Sequence, residues 1–248
     1  YTEEVNLSKT TVKEQVICSV DLGINTDAVC SIMRADGTIL GRKFINFPSD
    51  KDHQYHVLGR IRRFQREHSS GQVKSRWGYA KRMNMELSRK IAAEITKYAA
   101  EHRADVIVFE YLEMQGKISG KKKQKLHLWR KRDIQKLCEH QAHRNGIHVS
   151  RVSARNTSRL ACDGSGAVVR NPENHSLCTF RTGKQYNCDL SASYNIGARY
   201  FIREILKPLP ETERSSLEAK VPAVKRRTSC VYADLRKLYA EVNDLKAA

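Results

Sequence analysis

Apolar positions along the chain fall into blocks whose period switches between two and about 3.6. Residues 15–22 form an apolar run with Val16, Ile17, Cys18 and Val20, which predicts a buried strand ending at Asp21. Residues 27–34 and 38–46 alternate around Asp36-Gly37, a pair suited to a tight turn, and predict a hairpin. From 80 to 103 the spacing of Leu87, Ile91, Ile95 and Tyr98 defines a helix face, and Val106 to Phe109 follow as a short strand closed by Glu110. A second helix over 128–144 places Ile134, Leu137, Cys138 and Gln141 on one side. Asn145-Gly146 stops it before a strand from Ile147 to Val152. A long helix starts near Asp189 and runs to about Leu206. Pro208, Pro210 and Pro222 break the chain after it, and Val231, Leu235, Leu238, Val242 and Leu245 describe a last amphipathic helix. The pattern predicts an α/β fold, with a mixed sheet flanked by helices.

A length of 248 residues with 40% hydrophobic content supports one large domain or a domain carrying an inserted module. No apolar run approaches the ~20 residues that cross a bilayer, and the polar start is not a signal peptide, so a soluble cytoplasmic protein with no membrane partner is expected. Tyr1 stands where an initiator Met is usual, so the expectation is a processed or excised piece of something longer. Seven cysteines, an odd number spread through apolar elements, argue for reduced thiols.

The formal net charge of +18 is concentrated. Residues 42–90 hold 13 Lys/Arg against four Asp/Glu, and residues 117–136 hold nine against one. Two blocks that carry nearly the whole excess predict a polyanion-binding surface. Its candidates are Arg62, Arg63, Arg66, Lys74, Arg76, Lys81 and Arg82 in the first block, and Lys121, Lys122, Lys123, Trp129 and Arg130 in the second. Phe64, Trp77, Tyr79 and Trp129 punctuate these blocks; most such aromatics anchor a core, leaving one or two as stacking platforms.

Three carboxylates stand out: Asp21 at the end of VICSVD, Glu110 at the end of VIVFE, and Asp189 in CDLSASYNIGARYF. An Asp before Gly is commonly a turn residue, a Glu after a strand is commonly solvated, and Asp189 also suits a helix N-cap. Taken together in these settings the three suit one shared metal site and suggest a nuclease. Crowded acids repel unless cations compensate, and oxygen-only ligands favour Mg²⁺ or Mn²⁺. Two such ions would activate a water and stabilise a leaving oxygen at a phosphodiester.

VDLGIN, IVFEYLEMQGK and CDLSASYNIGARY resemble the three RuvC motifs of transposon-encoded TnpB nucleases and of type V CRISPR effectors. The intervening LSRKIAAEITKYAAEHRADVIVFE and WRKRDIQKLCEHQAHRNGIHVSRVSARNTSRLAC are also similar to that family, so the resemblance covers roughly residues 15–205. It implies a ribonuclease H-like (RuvC) fold and the catalytic part of a prokaryotic RNA-guided DNA endonuclease. Guide RNA and single- and double-stranded target DNA would be its partners, held largely by recognition domains that precede the first motif and are missing from this chain. Asp21, Glu110 and Asp189 would be catalytic metal ligands. An arginine about twenty residues before the third acid would stabilise developing charge; Arg170 sits there, with Arg181 as the rival. The Lys-rich EMQGKISGKKKQK after Glu110 would be a lid over the acids.

The implied division is a nuclease core over 1–156, an inserted target-binding module over 157–188, the third-motif helix over 189–206, and a linker with an amphipathic helix over 207–248. Relatives commonly carry a zinc ribbon in the inserted segment, built from two C-x-x-C pairs. Here CDGSG puts Ser165 at the second Cys position, followed by single Cys178 and Cys188. A metal-free, zinc-ribbon-like remnant is therefore expected, the alternative being a Cys3His site of Cys162, His175, Cys178 and Cys188. Two other functions stay open: an RNA-guided DNA-binding effector with weak or no cleavage, and a structural RNA-binding protein.

Overall fold

The computed structural model describes residues 7, 10–23, 25–67, 73–111 and 122–247, leaving the side chains of 122–129, 246 and 247 outside the description. Its main sheet has five strands in the order β3-β2-β1-β4-β5. These are β1 (Val16–Asp21), β2 (Ala28–Arg34), β3 (Ile39–Ile45), β4 (Val106–Glu110) and β5 (His148–Val152). β1, β2 and β3 form an antiparallel meander, whereas β1, β4 and β5 run parallel. The mixed, helix-flanked sheet in this order is the ribonuclease H-like fold that the sequence led us to expect. Gly37, with φ of +86°, makes the β2–β3 turn.

Six helices complete the chain among the described residues: α1 (Pro48–Glu67), α2 (Lys74–Glu101), α3 (Lys122–Arg144), α4 (Cys188–Leu206), α5 (Glu211–Lys220) and α6 (Tyr232–Ala247). Because side chains alternate along a strand, β1 serves two cores. Cys18 and Val20 face α2 and α3, meeting Leu87, Ile91, Ile95, Ile134 and Cys138. Ile17 faces the opposite layer, where Met33, Ile196, Phe201, Leu235 and Leu238 join α4 and α6 to the sheet. Between β5 and α4 a small antiparallel sheet of β6 (Val169–Arg170), β7 (Leu177–Thr179) and β8 (Gln185–Asn187) packs into that second core through Cys178 and Phe180. No helix among the described residues is long and apolar enough to cross a membrane.

Two helices go beyond the sequence pattern. α1 has a narrow apolar face of Val57, Leu58 and Ile61, and with Val73 and Ala80 of α2's start it closes a third, smaller core. So few apolar positions among many bases read as charge and not as periodicity. α5 starts directly after Pro210, a residue whose fixed φ suits a helix start as well as a break.

Arg130 corrects an expectation. It lies only 2% exposed, with Nη2 3.7 Å from the Asp27 carboxylate, so it ties α3 to the segment after Asp21 and has no open surface to offer a phosphate. Asp27 also accepts a hydrogen bond from the Phe47 backbone at 2.9 Å, which fixes the β3–α1 corner to the same carboxylate.

The close approach of α4 to the sheet depends on Gly197, where a Cβ would stand 3.0 Å from Met33 Cε and 3.1 Å from Ser19 Oγ. Gly197→Leu is expected to lower the unfolding free energy by about 1–3 kcal/mol through overpacking, measured by urea denaturation; wild-type stability would mean that α4 has slack. Arg130→Ala leaves the buried Asp27 carboxylate with Lys51, whose Nζ lies 3.6 Å away, as its remaining ion-pair partner, and should cost about 3 kcal/mol, the low end for breaking a buried pair. Arg62→Ala on the exposed side of α1 should stay within about 0.5 kcal/mol. Equal small losses from the two would return Arg130 to the surface.

Candidate active site

Parallel pairing sets the first two acids side by side. Ser19 pairs with Val108, and two residues further along both strands stand Asp21 and Glu110, on the face covered by α4. The third acid comes from α4 itself. Asn187 caps that helix, its side chain accepting from the Leu190 N–H at 2.9 Å. Capping is thus not the task of Asp189, whose carboxylate lies in the first turn, half-buried, with its charge reaching Asp21.

The electrostatics show how tightly the three share one environment. Burial first, then the charges of Glu110 and Asp189, push the Asp21 carboxyl up to about 8, against the opposing pull of Lys131 and Arg170. Glu110 and Asp189 are both raised as well, chiefly by burial. Arg170 pulls Asp189 down, as does Lys131. Three acids repelling one another in a buried pocket are drawn onto a common point only by positive charge. No three His, Cys, Asp or Glu side chains among the described residues stand as a preformed ligand cluster. The donor set, all carboxylate oxygen with each acid's pKa raised chiefly by burial, fits a hard divalent cation.

Several residues around the acids carry no sequence signal of their own. The Thr157 hydroxyl donates to Glu110 Oε1, and this contact opposes the rise in the Glu110 pKa. Thr157 is held in turn by Asn195, whose Nδ2 donates to the carbonyls of Thr157 and Leu160, both at 2.9 Å. Arg199, one turn further along α4, is 4% exposed and donates to the carbonyls of Ser153 and Arg155 at 2.7 Å each; its charge also reaches Glu110. Gln135 Nε2 of α3 donates to the Glu110 carbonyl at 2.9 Å. Lys131 stands next to Arg130 on α3, about 100° further round the helix. Periodicity alone does not say which of two adjacent bases faces the acids.

Of the two candidate arginines, Arg170 on β6 is the one whose charge reaches Asp21 and Asp189, while Arg181 packs beside Gly166. Arg62, Arg63, Arg66, Lys74, Arg76, Lys81 and Arg82 are all exposed on α1 and α2. Arg76 lies over the Phe64 ring at 3.9 Å, and Phe64 and Trp77 pack on the small core between these helices. Tyr79 is 42% exposed, with Arg82 standing over its ring at 6.0 Å. Lys121 and the lid segment after Tyr111, together with the side chains of Lys122, Lys123 and Trp129, lie outside the described residues.

In the inserted segment, Cys162, Cys178 and Cys188 are buried free thiols, and His175 is exposed. Burial and the adjacent Cys188 push the Cys178 thiol up to about 12, and its Sγ donates to the Tyr186 carbonyl at 3.4 Å. His175 is therefore not gathered with the three thiols into a Cys3His ligand set.

No protein-family model and no curated protein sequence matches the chain. Among solved structures it is similar to a Cas12f1–sgRNA–target DNA complex, at 19% identity and a TM-score of 0.51 over 73% of this chain and 49% of that one. It is also similar to a CRISPR-Cas12f ternary complex, at 16% identity and a TM-score of 0.56 over 79% of this chain and 40% of that one. The chain thus spans about half the length of these proteins or less. An alignment to T. thermophilus RuvC bound to a Holliday junction substrate reaches a TM-score of only 0.35 at 11% identity and adds nothing to the assignment. These likenesses show a shared fold, the ribonuclease H-like one described above.

Proposed function

We propose that this chain is the catalytic part of an RNA-guided DNA endonuclease whose RuvC-type site uses Mg²⁺ or Mn²⁺. The observation that carries the reading is the Asp21 carboxyl, pushed up to about 8 by burial and by two further acids that β4 and α4 bring to the same face. Such a cluster is costly for a merely structural purpose, since raised carboxylates weaken the fold above their ordinary pKa. The fold shared with Cas12f proteins, and the guide and target DNA in one of those complexes, support the choice of polymer.

Asp21, Glu110 and Asp189 would hold the ions. Two such ions, when bound, supply an activated water and stabilise the leaving oxygen of the phosphodiester. The protein's own groups do the rest. Thr157 fixes the Glu110 carboxylate, while Lys131 and Arg170 bring positive charge to where the scissile phosphate would lie. The exposed bases of α1 and α2 would position nucleic acid through its phosphates without reading bases.

Two outcomes are expected. In the presence of chelator, a folded Asp21 pKa near 8 lies far above the ~3.9 of the unfolded chain, so between these values the folded state holds a proton that the unfolded state has lost. Stability should therefore fall as pH rises from about 4 to 8, by roughly 2–4 °C of melting temperature per kcal/mol. Asp21→Asn should flatten that decline, and Mg²⁺ at pH 8 should raise the melting temperature of the wild type but not of the variant. An equal rise in both would place Mg²⁺ elsewhere.

In the guide-loaded protein, Asp21→Ala, Glu110→Ala and Asp189→Ala should each reduce Mg²⁺-dependent cleavage to background with DNA binding retained, and Arg170→Ala should slow it about 10²–10³-fold. Cleavage at the wild-type rate would remove the altered residue from the site. A wild-type protein that binds guided DNA but never cuts it would establish the binding-effector reading instead.

A further inference from the structure

Behind the acids, on the α3 face of the sheet, a pocket of about 350 Å³ opens where β4 and β5 end. Tyr111, Arg132, Gln135, Lys136 and Arg151 line it. Alternation along the strand sets its place: Glu110 faces α4, so Tyr111 turns to the opposite side, and Arg151, in register with Phe109, points the same way. Arg151 is already engaged. Its guanidinium donates to Glu139 at 2.8 Å and to Gln135 Oε1 at 3.3 Å. Arg132 and Lys136, four residues apart on α3, are both exposed, and neither makes a salt bridge among the described residues. Tyr111 is 57% exposed, and its N–H donates to the Val152 carbonyl at 2.7 Å, which extends the pairing of β4 with β5 and anchors the ring at the pocket wall.

One turn of helix separates Arg132 from Lys136, so both reach a single anion. No carboxylate among the described residues lines the pocket. Asp133 stands half-buried on the neighbouring side of α3, where it feels the Lys136 charge. Two unengaged cations match a phosphate monoester, which carries about −1.5 to −2 near neutral pH on three acceptor oxygens, better than a diester with its single charge. The Tyr111 ring offers a face to a base. A volume at the small end of the ~300–1,000 Å³ typical of ligand pockets holds one nucleotide and not a run of strand.

From this lining we infer that the pocket binds a nucleoside 5′-monophosphate, its phosphate held by Arg132 and Lys136 and its base lying against Tyr111. Gln135 ties the site to the second acid, because its Nε2 donates to the Glu110 carbonyl at 2.9 Å while its Oε1 accepts from Arg151. The pocket therefore adjoins the backbone of Glu110 without opening onto its carboxylate. Two sources supply such a ligand. One is a free nucleotide. The other is a 5′-phosphorylated strand end, which water attack on a phosphodiester creates when the 3′ oxygen leaves as a hydroxyl. Only the second source rests on the nuclease reading above.

The test titrates the full chain, in EDTA, with deoxyadenosine 5′-monophosphate (dAMP), deoxyadenosine, inorganic phosphate and the methyl ester of dAMP, read by isothermal calorimetry. dAMP should bind about tenfold tighter than each of the others, because only it offers a base and a dianion together. Arg132→Ser with Lys136→Ser should weaken dAMP roughly tenfold, and Lys97→Ser, equally exposed on α2, should leave it unchanged. Tyr111→Leu should cost roughly tenfold and Tyr111→Phe nearly nothing, since stacking requires the ring and not the hydroxyl. All of these side chains are exposed, so the variants keep the fold. A 5′-phosphorylated tetranucleotide that matches dAMP while its 5′-hydroxyl twin does not would identify the strand end as the source; dAMP binding with no preference between the two would identify the free nucleotide. Inorganic phosphate or the methyl ester binding as tightly as dAMP, or wild-type affinity in the double variant, would overturn the pocket. dAMP bound by a protein that never cuts would sink the nuclease reading and leave the pocket standing; guided cleavage with no dAMP binding would do the reverse.

Discussion

The packing of α4 across β1 and β2 is the constraint on which the rest of this structure depends. Gly197 removes the side chain that would hold the helix off Ser19 and Met33, and Ser31 and Ser193 meet through their hydroxyls at 2.5 Å between the two layers. A small residue at the contact lets the helix lie close; the buried hydroxyl contact penalises sliding, because a shift would take from Ser31 the Ser193 oxygen, whose own proton goes to the Leu190 carbonyl at 2.8 Å. One docking event therefore fixes the first turn of α4, and with it Asp189, relative to the end of β1.

The same helix also governs the second acid from a distance. Asn195 and Arg199 are buried and donate to carbonyls between Ser153 and Leu160, the loop that presents Thr157 to Glu110, while Arg199 also donates to the Cys230 carbonyl and Asn195 accepts from the Tyr232 N–H. Arg203 continues the series, donating to the Arg151 carbonyl at 2.9 Å and the Ser150 hydroxyl at 2.7 Å. Each of these side chains carries donors out of water, which is favourable only when the partners are in place, so the loop and the helix order each other. The acid site is thus a product of one helix that contributes one carboxylate and holds the support of another.

Much of this was legible in the chain. β1, the β2–β3 hairpin, the Leu87–Ile91–Ile95 face of α2, β4, and α4 all follow from apolar periodicity, because each buries one face against a continuous core. The small sheet was opaque: strands of two or three residues are too short to show a period, and their order comes from pairing such as Arg170 with Cys178. Among site residues, carboxylates at strand ends announce themselves, whereas Thr157, Asn195 and Arg199 act only through partners brought in by the fold. Arg130 shows the opposite error. Its position in a basic block reads as surface, yet its pairing partner, Asp27, lies more than a hundred positions earlier, and no local pattern reveals a contact of that range.

The inserted segment illustrates how such long-range packing sets the geometry around the acids. Its thiols are buried and its strands short, and what joins it to the domain is the aromatic series from Phe180 through Tyr186 and Tyr194 to Tyr232, which spans the small sheet, α4 and α6. Offset and tilted rings of this kind contribute apolar burial together with a preferred mutual orientation, so they resist rotation of the segment as well as its separation. Arg170 sits on the outer strand of that sheet, and its charge reaches Asp21 and Asp189 only while the sheet keeps its angle to α4. The cation whose charge reaches the acids is therefore positioned by hydrophobic stacking on the far side of the segment, and the acids themselves are positioned by the helix that the stack leans on.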